Sequence, residues 1–600
     1  MAATLLGIVA YGVYKTRSVR TAESYLLGDR DLRWWTIGLS IMATQASAIT
    51  FLSTPGQAYA DGMGFAQFYF GLPLAMVLLS IFVLPIYYRL KVYTAYEYLE
   101  GRFDLRARTL TAGLFLLQRG LAAGITIYAP SIIMSTILGW NLTLTLLLMG
   151  GIVIAYTVAG GTKAVSVTQK QQMIVILAGM FVAAGFLVWQ LPAGVGFSDA
   201  LHVAGSLGKL ELVDFDFDFS SRYNIWSGLL AGLFLFMSYF GTDQSQVQRY
   251  LSGKSLSESR LGLLFNGIIK VPMQVLVLFV GVMVFVFFQF AKPPIHFNQA
   301  NVEVLERSAY AGDFASAKTR YDAIHAEKSA AVFGLVSAGL QPAGTQTPPF
   351  NSDAGDGAPF RSDAAEGGFS STSGAAQSAP DRASAAAAVQ SLLDAERDVR
   401  AEVDAMIARV DPALETKDED YIFISYVLGY LPAGLVGLLI AVIFSAAMSS
   451  SASELNALAT TTVVDLYRRR YKTDGTDAHY LYASKAFTVA WGLVALAFAA
   501  GASLFDNLIE AVNIIGSVFY GVILGIFLVA FFFKSIGGRA VFYGALVTEA
   551  FVIVVYFANR WEYIDFTYLW LNPLGAIICV AAAAAFSVFL KGDKGTSQPD

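Results

Sequence analysis

The sequence has little charge and almost no cysteine or histidine. Only 14% of its 600 residues are charged, whereas soluble domains average about 25%. Its single cysteine, Cys579, excludes an intrachain disulfide and a thiolate metal site. The four histidines are scattered through polar loops, which argues against a histidine metal cluster. No long run of positive charge suggests nucleic-acid binding, so no nucleic-acid partner is expected.

The low charge is accompanied by a high content of apolar residues. They make up 56% of the chain and give a mean hydropathy of +0.56. Many form runs of about 20 residues, long enough to cross a bilayer. With a shorter N-terminal segment, they predict an all-α polytopic membrane protein of about 13 transmembrane helices, with lipid as its surroundings. The longer runs lie at 34–58, 64–90, 108–137, 140–159, 164–190, 224–243, 260–290, 421–450, 480–503, 508–533, 538–558 and 566–590.

The distribution of Lys and Arg predicts the orientation. If the N-terminus is outside, the loops and tail on the inner side hold 24 of these residues, while the short outer loops hold Lys209, Arg222 and Arg560. This asymmetry follows the positive-inside rule. We expect a multi-pass protein of the plasma or inner membrane with a cytoplasmic C-terminus. The apolar N-terminal segment lacks the features of a signal peptide and is interpreted as a tilted or truncated first helix.

One loop differs from the others. Residues 291–420 hold 20 Asp and Glu against 11 Lys and Arg, and their middle, about 341–385, has the composition of a disordered segment. The flanks, near 299–339 and 383–411, have helical patterns. An extracytoplasmic helical hairpin with a structural role is one interpretation, and a surface for a separate protein partner is the other.

Two spans carry residues that interrupt helices. MATQASAITFLSTPGQAYADG (42–62) places Ser, Thr, Pro and Gly inside an apolar run, and FMSYFGTDQSQVQR (236–249) contains Gly241 and Asp243. Each begins a block of five spans, and broken helices at matching places are typical of transporter sites. Because five is odd, the blocks run in opposite directions, which predicts an inverted repeat. The predicted regions are 1–33 (extra helix and loop), 34–190 (first repeat), 191–223 (outer loop), 224–290 and 421–533 (second repeat), 291–420 (insertion) and 534–600 (two further helices and a tail).

The stretch FSAAMSSSASELN (444–456) adds a cluster of hydroxyl groups to an apolar helix. Na⁺ is a hard cation that prefers oxygen ligands. Hydroxyls, together with carbonyls freed by an unwound helix, can supply them without a buried net charge. Small residues also allow close packing of membrane helices, and this stretch alone leaves both interpretations open.

Four motifs together resemble the sodium:solute symporter family, over nearly all of the chain except 291–420. They are TAESYLLGDRDLRWW (21–35), GGTKAVSVTQKQQ (160–172), YFGTDQSQVQRYLSGKS (239–255) and AAMSSSASELNALATTTVVDLY (446–467). The family includes sodium-coupled carriers of sugars, proline, sialic acid, iodide and monocarboxylates. The resemblance implies a core of five plus five helices and Na⁺ as the co-transported ion.

The resemblance also implies ligands for sodium, between the first and eighth core helices. They are the backbone carbonyls of Ala43, Ala46 and Ala446 and the hydroxyls of Ser449 and Ser450. Some members bind a second sodium through an aspartate and two serines. The corresponding positions here are Gln169, Ala452 and Ser453. We therefore predict one sodium ion per cycle.

The solute pocket is less readable from the sequence. Positions that contact sugar in sugar carriers are mostly apolar here, and SAITFLSTPGQAYADG is more similar to the iodide, monocarboxylate and multivitamin branch. This favours a small organic solute, with an anion preferred over a sugar. The candidate pocket residues are Gln45, Thr50, Gln67, Tyr69, Tyr239, Lys270 and Asn513.

Buried charges leave alternatives open. Lys270 and Arg119 are expensive in lipid and are expected to face the protein interior, in contact with solute or in a structural role. Asp243 and Glu454 are interpreted as gate or capping groups at the inner end. The sequence thus predicts a sodium-coupled symporter, not an enzyme. The alternative is a membrane sensor that acts through a separate partner.

Overall fold

The computed structural model describes residues 21, 25–26, 30–339, 382–412, 414, 416–501 and 508–590. Within these ranges the chain is almost entirely helical, as the apolar runs predicted. Long loops occur mainly on the side of the insertion. The helices are α1 (Trp34–Gln45), α2 (Ala48–Asp61), α3 (Gly64–Leu90), α4 (Ala95–Arg102), α5 (Leu105–Leu138), α6 (Leu142–Thr162), α7 (Thr168–Trp189), α8 (Phe197–Ser206), α9 (Ser227–Gly241), α10 (Gln244–Leu251), α11 (Leu256–Phe290), α12 (Gln299–Glu306), α13 (Ala311–Gly339), α14 (Arg382–Val410), α15 (Glu419–Tyr430), α16 (Ala433–Arg470), α17 (Asp477–Ala499), α18 (Leu508–Phe532), α19 (Gly538–Arg560) and α20 (Tyr568–Phe589).

Ten helices of the described part are long and apolar enough to cross a membrane, or eleven if the bent pair α1 and α2 is one span. The N-terminal segment lies outside the described residues, so the count of 13 stays a prediction, as does the inverted repeat. The run 421–450 differs from the expectation of one span, because it is divided between α15 and α16. Pro432 explains the division: it lacks an N–H, and it disfavours helical backbone at the preceding residue.

The first core helix is interrupted at its middle. α1 ends at Gln45, α2 begins at Ala48, and their axes bend by 60°. The backbone N–H of Ala46 still bonds to Met42 O at 2.7 Å, but Ser47 is extended. Such a break exposes backbone carbonyls and N–H groups inside the bundle, where a bound ion or solute can use them.

A second interruption separates α9 from α10. Thr242 and Asp243 leave the helical conformation, and the Asp243 carboxylate caps α10 by accepting a bond from Ser245 N at 2.9 Å. An acidic group is favourable here because it faces the positive end of the helix dipole. Both sequence-predicted breaks are therefore present.

α16 carries the hydroxyl cluster and lies inside the bundle. Its residues from Leu439 to Thr461 are all buried, and it packs against α5, α6, α7 and α17. Side chains facing lipid are found instead on outer helices such as α17 and α19, where Leu493 and Val554 are exposed. The serines therefore face protein and not lipid.

The insertion contains the predicted helical hairpin. α13 and α14 pack along each other, with an apolar cluster that includes Tyr321, Val403 and Ile407. The middle of the loop, residues 340–381, lies outside the described residues. Between the two helices, Glu396 accepts a bond from Lys328 Nζ at 2.6 Å and lies 3.1 Å from His325 Nδ1. Burial alone would raise the pKa of Glu396, but these two partners bring it below its usual value.

We expect Glu396→Gln to destabilise the hairpin by about 3–5 kcal/mol, because it leaves the buried Lys328 ammonium without a carboxylate. Hydrogen exchange of α13 and α14, read by mass spectrometry, measures this loss. Asp394→Asn is the matched control, since Asp394 pairs with Arg397 on the exposed face of α14. Equal protection in Glu396→Gln and wild type would contradict the prediction.

Candidate functional site

A cavity of about 80 Å³ lies at the centre of the bundle, beside the break between α1 and α2. In this measure one water needs about 10–15 Å³, so the space is larger than one water and admits a small solute. Seven helices (α1, α2, α3, α5, α9, α16 and α18) and the segment joining α1 to α2 form its walls. The lining residues are Thr44, Gln45, Ser47, Ile49, Thr50, Phe68, Tyr69, Arg119, Thr126, Leu235, Phe236, Tyr239, Glu454, Ile509, Val512, Asn513 and Tyr520.

Most sequence-predicted pocket residues meet at this cavity. Gln45, Thr50, Tyr69, Tyr239 and Asn513 line it. The other two candidates, Gln67 and Lys270, are not among its lining residues.

Gln67 supports the loop beyond the cavity. Its Nε2 donates to Tyr223 O at 2.9 Å, and its Oε1 accepts from Asp214 N at 2.9 Å. Lys270, on α11, is fully buried behind Tyr69, with Nζ 5.6 Å from the ring centroid. Its ammonium has no hydrogen-bond partner among the described residues.

Two of the predicted sodium ligands meet next to the break. Ser449 Oγ on α16 donates to Ala43 O on α1 at 3.0 Å, which links the two helices directly. Ser450 Oγ donates to Ala446 O at 3.0 Å on the same helix. Ala46 lies at the end of α1, where the helix opens. All five residues are buried, so an ion here would be shielded from bulk water.

Gln169, at the start of α7, joins the same region. Its Nε2 donates to Ser453 Oγ at 2.7 Å, Ser449 O at 3.1 Å and Thr44 Oγ1 at 3.1 Å. Its Oε1 accepts from Ser40 Oγ at 2.5 Å. A neutral amide nitrogen thus lies among three oxygens, in surroundings that would also suit a small cation.

A cluster of charges forms one end of the cavity. Arg119 Nη1 donates to Glu454 Oε1 at 3.1 Å, and Nη2 donates to Tyr520 OH at 2.5 Å. Nη2 also pairs with the Asp243 carboxylate, and the guanidinium lies over the Tyr239 ring. These groups come from α5, α9, α16, α18 and the break before α10, so the cluster ties distant parts of the chain together.

The charge cluster is the part of the site that the sequence did not predict. Arg119 and Glu454 were identified as buried charges, but no pattern indicated that they pair with each other or face the solute cavity. The two residues are 335 positions apart. The available signal was the presence of one arginine and two acids within apolar spans, since such charges normally find partners.

On the side of the insertion, α2 continues past the cavity and contacts polar aromatic side chains and α15. Gln57 Nε2 on α2 donates to Tyr223 OH at 3.3 Å. The same Tyr223 hydroxyl lies 3.1 Å from Tyr568 OH. α15 lies against α2 at Gly56, where an added Cβ would be 2.0 Å from Glu419 O. Glycine is required for this close approach.

The fold and the site together define a polytopic membrane protein whose central polar cavity adjoins two interrupted helices, as in secondary transporters. A model of the sodium:solute symporter family matches residues 25–308 and 404–548. The chain belongs to this family, as the sequence motifs predicted.

Curated relatives resemble part of the chain. The human sodium/iodide cotransporter is 35% identical over 249 residues, which are 41% of this chain and 38% of that protein. The mouse sodium-coupled monocarboxylate transporter 2 is 31% identical over 260 residues, 43% of this chain and 42% of its own length. The alignments thus span about two fifths of the length of these relatives.

A solved structure covers the whole fold. It is a Na⁺-coupled sialic acid symporter in a substrate-bound outward-open state, with a TM-score of 0.71 and 21% sequence identity, and it covers 100% of this chain and 99% of its own. At this identity the likeness establishes the fold alone, and it does not extend to the pocket side chains.

Proposed function

We propose that the protein is a sodium-coupled secondary active symporter that imports a small organic solute by alternating access, with one sodium ion per cycle. The observation that carries the proposal is the bond from Ser449 Oγ to Ala43 O, 3.0 Å long, beside the break in the first core helix. It brings hydroxyl and carbonyl oxygens from two helices to one buried point. Family membership and the sodium-coupled relatives support the same ion.

In this proposal sodium is bound by the carbonyls of Ala43, Ala46 and Ala446 and the hydroxyls of Ser449 and Ser450. The ion connects α1 to α16 and so fixes the break that forms one wall of the cavity. Solute then binds, Tyr239 acts as a lid, and the bundle opens to the other side. The fit of the site rests on chemistry: every ligand is an oxygen, and none brings a net charge.

The driving force for one ion is sufficient for accumulation. A charge moving down 100 mV releases about 2.3 kcal/mol. Since 1.4 kcal/mol is a factor of ten, the voltage alone supports roughly 50-fold solute accumulation. We place the protein in the plasma or inner membrane, with the N-terminus outside and the C-terminus in the cytoplasm, as the distribution of Lys and Arg indicates.

Ser449→Ala should raise the Na⁺ concentration needed for half-maximal stabilisation by about 10- to 100-fold, because it removes one oxygen that faces the ion. The readout is the melting temperature of the purified protein in NaCl, with choline chloride as the reference. Ser451→Ala is the matched control: Ser451 is equally buried on α16, and its hydroxyl bonds to no group that the structure describes.

Transport itself is tested in proteoliposomes with an inward Na⁺ gradient and a panel that includes iodide, pyruvate and small amino acids. Uptake that persists unchanged when K⁺ or choline replaces Na⁺ would refute sodium coupling. A sensor that acts through a partner, bound at residues 291–420, would instead show sodium and solute binding without net uptake.

A further inference from the structure

The charge cluster at the end of the cavity is not balanced. Arg119 supplies one positive charge, while Asp243 and Glu454 supply two negative ones, and all three side chains are buried. Lys270 Nζ lies 5.6 Å from the centroid of the Tyr69 ring and does not line the cavity. Buried charges without partners are strongly unfavourable, so the surplus carboxylate calls for a cationic partner.

The two carboxylates are held differently. Asp243 is fully occupied: Oδ1 accepts from Ser245 N and Oγ at 2.9 and 2.7 Å, and Oδ2 accepts from Arg119 and from Tyr520 OH. Glu454 has fewer bonds. Its Oε1 accepts from Arg119 at 3.1 Å and from Thr126 Oγ1 at 3.5 Å. Its Oε2 receives no hydrogen bond from any residue that the structure describes. Glu454 is only 5% exposed, so this oxygen also has little access to water.

Glu454 is also the carboxylate that lines the cavity, whereas Asp243 does not. A positively charged nitrogen in the cavity could therefore bond to Glu454 without disturbing the Arg119–Asp243 pair.

Another part of the cavity lining, at the start of α2, suits a negative group. Ser47, Ile49 and Thr50 belong to the N-cap and first turn of α2, and this helix of 14 residues begins at the cavity. The Ser47 side chain makes no capping bond. N–H groups at the start of a helix, together with the helix dipole, stabilise anions. The Thr50 hydroxyl and Gln45 amide add polar groups on this side.

We infer that the solute is a small zwitterion, whose positively charged nitrogen pairs with Glu454 and whose anionic group faces the first turn of α2. This inference rests on the proposed transport function and names its substrate class. The cavity volume of about 80 Å³ is in keeping with a small solute. The inference differs from the sequence-based preference for an anion, because that preference did not include Glu454 in the pocket.

L-Alanine and L-lactate are matched probes. Both have six non-hydrogen atoms and a carboxylate. They differ in one group, which is an ammonium in L-alanine and a hydroxyl in L-lactate. At saturating Na⁺, we expect L-alanine to stabilise the purified protein at a concentration about 10- to 100-fold lower than L-lactate, as a charged hydrogen bond implies. Equal or better stabilisation by L-lactate, or none by L-alanine, overturns the inference.

Glu454→Gln should remove the preference for L-alanine, and Glu454→Asp, which keeps the charge, should retain it. Glu549→Gln is the matched control. Glu549 is another buried carboxylic acid, 7% exposed, on α19 away from the cavity, and its replacement should leave the preference unchanged. An unaltered preference in Glu454→Gln would also overturn the inference.

The sodium response separates this inference from the proposed function. Stabilisation by NaCl without solute, lost in Ser449→Ala, tests the ion site alone. If Na⁺ stabilises the wild type and L-alanine does not, the zwitterion inference fails and the symporter proposal stands. If Na⁺ itself has no effect, the proposed function fails first.

Discussion

Gln169→Asp is expected to create a second sodium site. In the wild type, the amide Nε2 occupies the space among Thr44 Oγ1, Ser449 O and Ser453 Oγ, and donates hydrogen bonds to all three. The substitution removes this donor and adds a carboxylate. The three oxygens then face a buried negative charge, which an Na⁺ ion would neutralise.

The expected result is a change in the number of sodium ions that act together. The Hill coefficient of Na⁺-dependent stabilisation should rise from about 1 to between 1 and 2, and the protein without Na⁺ should lose about 3–5 kcal/mol of stability through its unpaired buried carboxylate. The asparagine of Gln169→Asn has the same length as the aspartate of Gln169→Asp but no charge. This variant should keep a Hill coefficient near 1. A coefficient of 1 in both variants would contradict the prediction, and a coefficient near 2 in the wild type would refute the single-sodium proposal.

Gly56→Val is expected to prevent closure on the side of the insertion. At Gly56, the backbone of α2 touches α15 so closely that a Cβ would lie 2.0 Å from Glu419 O. Neither atom can avoid the contact through a rotamer change, because the backbone fixes the position of both. The two helices must separate, at a cost of about 1–3 kcal/mol typical of overpacking.

Two measurements detect the separation of α2 from α15. Transport should fall at least about tenfold. In a Cys579→Ala background, a cysteine introduced by Asn513→Cys should react faster with a membrane-impermeant maleimide, because the cavity stays open. Gly429→Val is the control, since a Cβ added to this glycine of α15 would meet no atom of the described residues within 4 Å. Normal uptake with unchanged labelling in Gly56→Val would show that the contact does not take part in closure.

The sequence predicted the elements of the core because their signals are local. Apolar length predicted the spans, and Gly, Pro and polar residues predicted the breaks near Ala46 and Thr242. The burial of the serines on α16 follows from the same reasoning, because lipid offers no partner for hydroxyl groups. The family motifs then related the ion ligands to numbered positions, and Ser449 and Ala43 do meet.

The sequence could not predict which buried charges meet, because that depends on how distant helices pack. Arg119 pairs with acids that lie 124 and 335 positions away, and nothing in its local pattern identifies either partner. Similarly, Gln67 is a polar residue in a membrane segment, but its amide bonds to backbone in the outer loop instead of lining the cavity. Periodicity gives the face of a helix and leaves its neighbour unspecified.

The bond between Ser449 and Ala43 also has a consequence for ion release. The hydroxyl proton of Ser449 points at the carbonyl that sodium would use, so the protein carries an internal competitor for its own ion. Binding must rotate this proton away, which costs about 0.5–1.5 kcal/mol and weakens sodium affinity by roughly 2- to 12-fold. When the ion leaves, the same bond re-forms and satisfies both groups. Under the proposed transport function, the site thus favours turnover over retention, which a carrier needs in order to return for the next solute.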